Sequence, residues 1–258
     1  MIKLAYQPQS SLLHKLYPIT KLGWLILASV LLFILANGIL LGLTAVVFFV
    51  FLLVTFPQIW SVRGFRFALS TGIILFILYV LFDKSGQVIF DPGWQQLTVT
   101  TGGVTSGLRF SGRFLSIIFL SYLFILSTDP NQLAYAMMQI GLPYRYGFML
   151  VTALRLAPIL EQEGHTIYQA QLTRGVRYDR NNLKKLFLLV QQFTTPLLIS
   201  AIRRADKLVF SMEGRAFGRY PDRTFRKIIT PTFLDVTVSI LLSIFFAALL
   251  SINYGGLI

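Results

Sequence analysis

Apolar residues in this chain come in long unbroken runs, without the two-residue alternation of a strand or the single stripe of a surface helix. Five runs, 22–36, 39–56, 67–82, 108–126 and 233–252, are nearly free of charge. Each approaches the ~20 residues an α-helix needs to cross a ~30 Å hydrocarbon layer. The pattern predicts an all-α polytopic membrane protein with about five transmembrane helices. The breaks are turn residues and charges: Asn37-Gly38, Pro57 with Arg63 and Arg66, and a polar, glycine-rich loop over 83–106. The stretch 130–230 reads differently. It holds two apolar segments, 148–160 and 186–202, set between dense basic clusters. A crossing by 186–202 would leave either Arg174 to Lys185 or Arg203 to Lys227 outside, against the preference of Lys and Arg for the cytoplasmic side. The segment is therefore expected to be a long helix at the inner interface or beneath the bundle. Pro158 and Pro196 are expected to bend such helices, and Gly141-Leu142-Pro143 to break one, with Pro143 opening the next. Three regions follow: transmembrane helices over 1–128, cytoplasmic or interfacial long helices over 129–230, and a last transmembrane helix over 231–258.

Composition agrees with this reading. The 258 residues are 55% hydrophobic and 13% charged, against about 25% charged in soluble domains. That excludes an ordinary soluble globule and a disordered chain. The absence of cysteine excludes disulfide frameworks, thiolate metal sites and cysteine nucleophiles. The net charge is +13, and 130–230 carries 15 basic against 6 acidic residues. The basic block is interleaved with apolar helix and matches no nucleic-acid motif, so the positive-inside rule explains it better than nucleic-acid binding. With Lys3, Lys15, Lys21, Arg63 and Arg66 on one side and an uncharged turn and a slightly acidic loop on the other, the N-terminus is expected in the cytoplasm of a multi-pass cell-membrane protein. Arg109 and Arg113 then lie near the outer end of the fourth run. Arg109 can snorkel, while Arg113, a turn deeper, is expected to face protein or a polar partner.

One local repeat stands out. Thr173-Arg174-Gly175-Val176-Arg177-Tyr178-Asp179 resembles Gly214-Arg215-Ala216-Phe217-Gly218-Arg219-Tyr220-Pro221-Asp222. Each follows a helical stretch (about 153–174 and 183–215), with Gly175 and Gly218 as natural stops. Arginine at a helix C-terminus can simply cap free carbonyls. Two like ends suggest more: two like acceptor sites, each a groove that small neighbours allow a helix end to enter and where the planar guanidinium can grip a carboxylate.

Together with Arg113 in an apolar helix, Ser127-Thr128-Asp129-Pro130, Gly141-Leu142-Pro143 and Leu154-Arg155-Leu156-Ala157-Pro158, these motifs make the chain resemble the transmembrane T component of an energy-coupling factor (ECF) vitamin transporter. The resemblance is best from Gly107 to Arg219. The family's motifs usually read Ala-Arg-Gly; here Thr173-Arg174-Gly175 and Gly214-Arg215-Ala216 keep the arginine and small neighbours. The resemblance implies a non-catalytic scaffold whose cytoplasmic coupling helices, within 129–230, rest on two ATP-binding-cassette (ABC) ATPase subunits. Arg174 and Arg215 would each enter an ATPase groove, flanked by Thr173, Gly175, Gly214 and Ala216. ATP and Mg would be bound by the partner ATPases and no cofactor by this chain. A substrate-binding membrane S component would rest on apolar helix faces, with Leu186, Phe187, Val190, Phe193 and Leu197 as candidate contacts.

Other chemistry finds little purchase. No phosphate-binding Gly-x-x-x-x-Gly-Lys-Ser/Thr occurs, and 102–107 is glycine-rich without the lysine, which reads as loop. His14 and His165 lack metal-ligand spacing. Glu161, Glu163, Asp206 and Glu213 lie among arginines, where ion pairs are the ordinary expectation. An autonomous secondary transporter or channel is the alternative function; it needs ionisable groups deep in the spans, and Arg113 is the clear candidate. An intramembrane enzyme needs a convergent catalytic set, which the sequence does not offer.

Overall fold

The computed structural model describes residues 12–90, 99–175, 183–219 and 228–255, with side chains over 13–88, 99–175, 190–219 and 228–253. The chain is helical, as the apolar pattern predicts. Its elements are α1 (Leu12–Lys15), α2 (Pro18–Ile34), α3 (Gly38–Thr55), a 3-10 turn (Pro57–Ser61), α4 (Arg63–Phe82), α5 (Thr101–Ser127), α6 (Pro130–Ile140), α7 (Tyr144–Thr173), α8 (Leu183–Glu213) and α9 (Phe233–Gly255). Among the described residues, α3, α4, α5 and α9 are long and apolar enough to cross a membrane, and α2 is a shorter apolar helix of 17 residues. Two compact units emerge: Met1–Ala136 with Ile229–Ile258, and Met137–Ile228.

The first unit is a helix bundle. Its core runs through Leu32, Leu41, Leu52, Phe56, Phe65 and Phe119, all nearly inaccessible. The helices approach closely where side chains are small: a Cβ on Gly112 of α5 would sit 2.8 Å from the Leu41 carbonyl oxygen of α3, a device common in membrane bundles. The outward faces are apolar throughout (Val54, Phe67 and Leu241, for example, are exposed), as lipid-facing surfaces are.

Polar groups tie the first helix to the last. Asp235, buried at the head of α9, accepts the Tyr17 N–H at 2.7 Å and the Thr232 N–H at 2.6 Å. It thus satisfies free donors at the starts of α2 and α9 together. Trp24 Nε1 donates to Ser239 Oγ at 2.9 Å. At the far end, buried Asn253 accepts the N–H groups of Ala36 and Asn37, both at 3.2 Å. The two helices therefore run parallel, which requires an odd number of crossings between them; α3, α4 and α5 supply three.

Two loop expectations change. The polar segment 83–106 contains a short antiparallel ribbon, β1 (Val88–Phe90) with β2 (Val99–Thr100). And 102–107 is not loop: α5 starts at Thr101, capped by Thr100 Oγ1 accepting the Gly103 N–H at 3.0 Å. The glycines serve packing, since a Cβ on Gly103 would meet the Asp83 carbonyl oxygen at 2.7 Å. Arg113 consequently sits more than three turns inside α5.

Candidate functional site

Arg113 comes first, because the alternative function depends on it. It points at protein, as expected for its depth. Its Nε donates to the Leu32 carbonyl at 3.0 Å, and Nη2 to those of Leu35 at 2.8 Å and Phe33 at 3.3 Å. The guanidinium also lies 5.2 Å from the Phe33 ring centroid. These are the last carbonyls of α2, free of intrahelical partners. Arg113 is a cation capping a neighbouring helix's C-terminus.

The second unit is built on α7 and α8. Asp129 caps the helix that leads to it: its Oδ1 accepts the Asn131 N–H at 2.9 Å, with Pro130 as the first residue of α6. Gly141, at φ 122°, ends α6, with the Leu142 N–H returning to the Met137 carbonyl at 3.1 Å. Pro143 is the cap from which α7 starts. Pro158 and Pro196 both sit inside single continuous helices.

Helices α7 and α8 pair antiparallel. Gln171 Nε2 donates to the Gln192 carbonyl at 3.2 Å, Glu163 meets Ser200 and Arg204, and Phe217 beyond α8 packs on Tyr144 and Phe148 of α7, with ring centroids 5.8 and 4.7 Å apart. Partners thus run forward along one helix and backward along the other. At mid-length, Glu163 accepts the Ser200 hydroxyl and the Arg204 guanidinium, the latter at 3.3 Å. The Ser200 hydrogen bond, with Arg204 adding to it, holds the Glu163 carboxyl below the usual glutamate range. This is the interhelical ion pair the acidic residues led one to expect. His165 is exposed on α7.

The two arginine motifs end these helices in the same way. Arg174 is the C-cap of α7, and the next residue, Gly175, is left-handed at φ 83°, its N–H bonding the Leu172 carbonyl at 3.0 Å. Thr173 Oγ1 donates to the Ala170 carbonyl at 2.8 Å. At the second end Arg215 lies one residue further out, after Gly214, and is again followed by a left-handed residue, Ala216 at φ 53°. The Ala216 N–H bonds the Glu213 carbonyl at 2.9 Å, and the Phe217 N–H reaches back to Met212 at 3.0 Å. This is the Schellman closure. Gly218 is therefore not the stop it was expected to be: the turn is made two residues earlier, at alanine. Thr173, Arg174, Gly175, Gly214, Arg215 and Ala216 are all exposed. Because the helices are antiparallel, the two arginines stand at opposite ends of the pair, roughly 40 Å apart at 1.5 Å per residue. The motif tails, 176–179 and 220–222, lie outside the described residues.

The candidate apolar contacts divide. Phe193 and Leu197 face α7: Phe193 Cζ lies 3.3 Å from where a Cβ on Gly164 would stand, and both line a groove with Ala157, Leu160 and Tyr168. Val190 is exposed. The side chains of Leu186 and Phe187 lie outside the described residues. An exposed apolar row the sequence reading did not single out, Leu198, Ile202 and Val209, runs along α8 on the side away from α7. Its spacing of four and seven was the available signal.

Comparison with known proteins identifies this arrangement's relatives. The family model described as "Cobalt transport protein" matches residues 9–225. Energy-coupling factor transporter transmembrane proteins (EcfT) are similar over nearly the whole chain. The Listeria innocua protein is 30% identical over 254 residues, 95% of each chain. That of Bacillus subtilis is 32% identical over 242 residues, 89% of each. That of Lacticaseibacillus paracasei is 32% identical, with 87% of this chain and 88% of the relative covered.

Proposed function

The chain belongs to the T components of energy-coupling factor transporters, and from that premise we propose that it couples ATP hydrolysis in two ABC ATPase subunits to a substrate-binding S component in vitamin or other micronutrient uptake. The observation that carries this is the equivalence of the two helix ends. Arg174 and Arg215 each lie just beyond a helix, each is followed by a left-handed residue, and both are exposed. At roughly 40 Å apart they cannot share one acceptor. Two identical grooves related by a twofold axis answer that geometry, as a pair of ATPases would supply. In each groove a guanidinium meets acidic side chains bidentately, and Thr173, Gly175, Gly214 and Ala216 leave the helix end slim enough to enter. ATP and Mg belong to the ATPases; this chain contributes position and force, not a catalytic group.

The S component's contact belongs to the apolar row of α8. Val190, Leu198, Ile202 and Val209 are exposed in a segment flanked by clustered cations, and a protein partner would cover them. Phe193 and Leu197 act behind this surface by holding α8 on α7. The N-terminus and the helices of 129–230 are assigned to the cytoplasm, where the positive-inside rule puts their Lys and Arg. The autonomous-transporter reading loses its residue, since Arg113 is spent on three carbonyls.

The test is a mild-detergent pull-down of the tagged chain from its native host, with mass spectrometry of what accompanies it. Two ABC ATPases and a small hydrophobic protein are expected. A chain that purifies alone, folded, and moves substrate in vesicles would overturn the reading.

A further inference from the structure

The bundle unit contains a partly open, apolar crevice of about 180 Å³ between α2, α3, α5 and α9, walled by Leu25, Ala28, Phe48, Leu123, Leu242 and Phe246. We infer that it is a binding site for one acyl chain of an anionic phospholipid, whose phosphate is met by Lys21. The site is independent of the coupling function; only the leaflet named below rests on the orientation proposed above.

Three observations carry this. The first is shape. A dry apolar cavity of about 150 Å³ takes a benzene, so this one accepts a narrow hydrocarbon segment. It does not accept a helix about 10 Å across. The second is depth. Lys21 to Ala28 on α2 and Val238 to Phe246 on α9 line it, and at 1.5 Å per residue they extend about 10–12 Å along the helices. That is most of one leaflet, half of a ~30 Å core. The third is charge at the mouth. Lys21 Nζ donates one hydrogen bond to the Ser127 carbonyl, at 2.8 Å. An ammonium has three donors, so two remain for phosphate oxygens. Among the described residues no carboxylate lines the crevice. The nearby Asp235 accepts the Tyr17 and Thr232 N–H groups and also attracts the Lys21 ammonium, which it balances in part without occupying the crevice. Lys15, exposed at the end of α1, adds a second cation on the same side. Trp24, with its indole N–H on Ser239 and its ring stacked on Phe246, forms part of the wall near Lys21. In the orientation proposed above the lipid comes from the cytoplasmic leaflet.

The experiment is native mass spectrometry of the full-length chain released from mild detergent after titration with phosphatidylglycerol or phosphatidylcholine of the same acyl chains. Phosphatidylglycerol is expected to be retained with a one-to-one stoichiometry and about five-fold preference, the worth of one lysine at an anionic surface. Equal retention of the two lipids overturns the inference. Lys21→Gln should reduce phosphatidylglycerol to the phosphatidylcholine level, and Lys21→Arg should keep the preference; thermal unfolding in detergent shows that each variant is folded. Wild-type preference that persists in folded Lys21→Gln overturns the assignment to Lys21. Soluble glycerol phosphate should not compete; competition would point to a headgroup site without the crevice and overturn the acyl-chain placement.

Discussion

In the bundle unit, α2 and α9 are tied at both ends by buried side chains, Asp235 at one and Asn253 at the other, around a core of large apolar residues. The α7–α8 pair has no such closure. Phe193 rests on Gly164, Glu163 takes Ser200 and Arg204, and Phe217 covers Tyr144 and Phe148, while both helix ends and one long apolar row of α8 stay exposed. Exposed apolar residues mean different things in the two. On the bundle they face lipid and need no partner; on the pair, beside clustered cations, they form the surface that the proposed partners would cover. The strongest way to break this contrast is to reverse the charges on the pair and look for damage in the bundle. Arg174→Glu with Arg215→Glu should abolish ATP-dependent uptake, because each reversal in an acidic groove costs several kcal/mol. Either change alone should leave partial uptake, and the melting temperature of the isolated chain should not move. Uptake that survives the double reversal reduces both arginines to helix caps.

The reverse experiment damages the bundle and spares the pair. Asp235→Ala strands two N–H donors that one buried carboxylate now satisfies. A fully buried donor left unpaired costs about 1–3 kcal/mol; these two are only part-buried, so a loss of roughly 2–4 kcal/mol in all, the lower part of the range for a pair, is expected. It should appear as earlier thermal unfolding in detergent and faster hydrogen exchange at the starts of α2 and α9. Exchange over α7 and α8 should be unchanged; a shift there as large as in α2 would mean the two units do not melt separately.

The same contrast governs what could be read from sequence. The bundle's helices follow from apolar runs, because in hydrocarbon the backbone has no option but to bond internally. Their ends were harder. Thr101–Gly107 is glycine-rich and reads as loop, yet it is the first part of α5, since small residues there serve an approach to α4 that only the folded state displays. Asp235 is a lone charge at the start of the last apolar run, and its tie to Tyr17, 218 positions away in the chain, exists only in the fold. In the pair, the repeated arginines were legible as a motif. Their shared place before a left-handed residue, their opposite placement and the choice of Ala216 over Gly218 for the turn were not, because these depend on backbone dihedrals and on the antiparallel pairing. Phe193 and Leu197 read from sequence as candidate partner contacts; the fold adds that they are half-buried and line a groove against α7. Hydrophobicity alone does not say which apolar face of a two-sided helix meets its neighbour.

A smaller effect sharpens the view of the pair as adjustable. The Glu163 carboxyl is held below the usual glutamate range by Ser200 first and Arg204 second. A depressed carboxylate stabilises the fold fully above its unfolded value, ordinarily near 4.3, and this contribution is lost as pH falls through the folded value. Hydrogen exchange over 160–171 and 193–204 should therefore be slow at pH 7 and a few-fold faster, relative to an unstructured reference, once the carboxylate protonates. Glu163→Gln should show the faster exchange already at pH 7 and lose the acid dependence. Exchange that ignores both pH and the substitution would show that apolar packing alone joins α7 to α8.

The finest test is of the equivalence between the two ends. Both need a left-handed residue after the arginine, and glycine supplies it at one end while alanine supplies it at the other. A left-handed non-glycine residue bears about 1–2 kcal/mol of steric strain, against which glycine's extra freedom in the unfolded chain sets roughly 0.5–1 kcal/mol. Ala216→Gly should thus stabilise the α8 end slightly, by at most about 1 kcal/mol, and Gly175→Ala should destabilise the α7 end by a similar amount. The readout is local: protection of the Phe217 and Arg219 amides rises in the first variant, and that of the Gly175-position amide falls in the second. If the two helix ends are alike in function, Ala216→Gly keeps uptake unchanged, because the Arg215 guanidinium leaves from the same backbone position with either residue. An uptake defect from this near-neutral change would show instead that the Ala216 methyl itself touches the partner, and that the two ends, alike in backbone, are read differently.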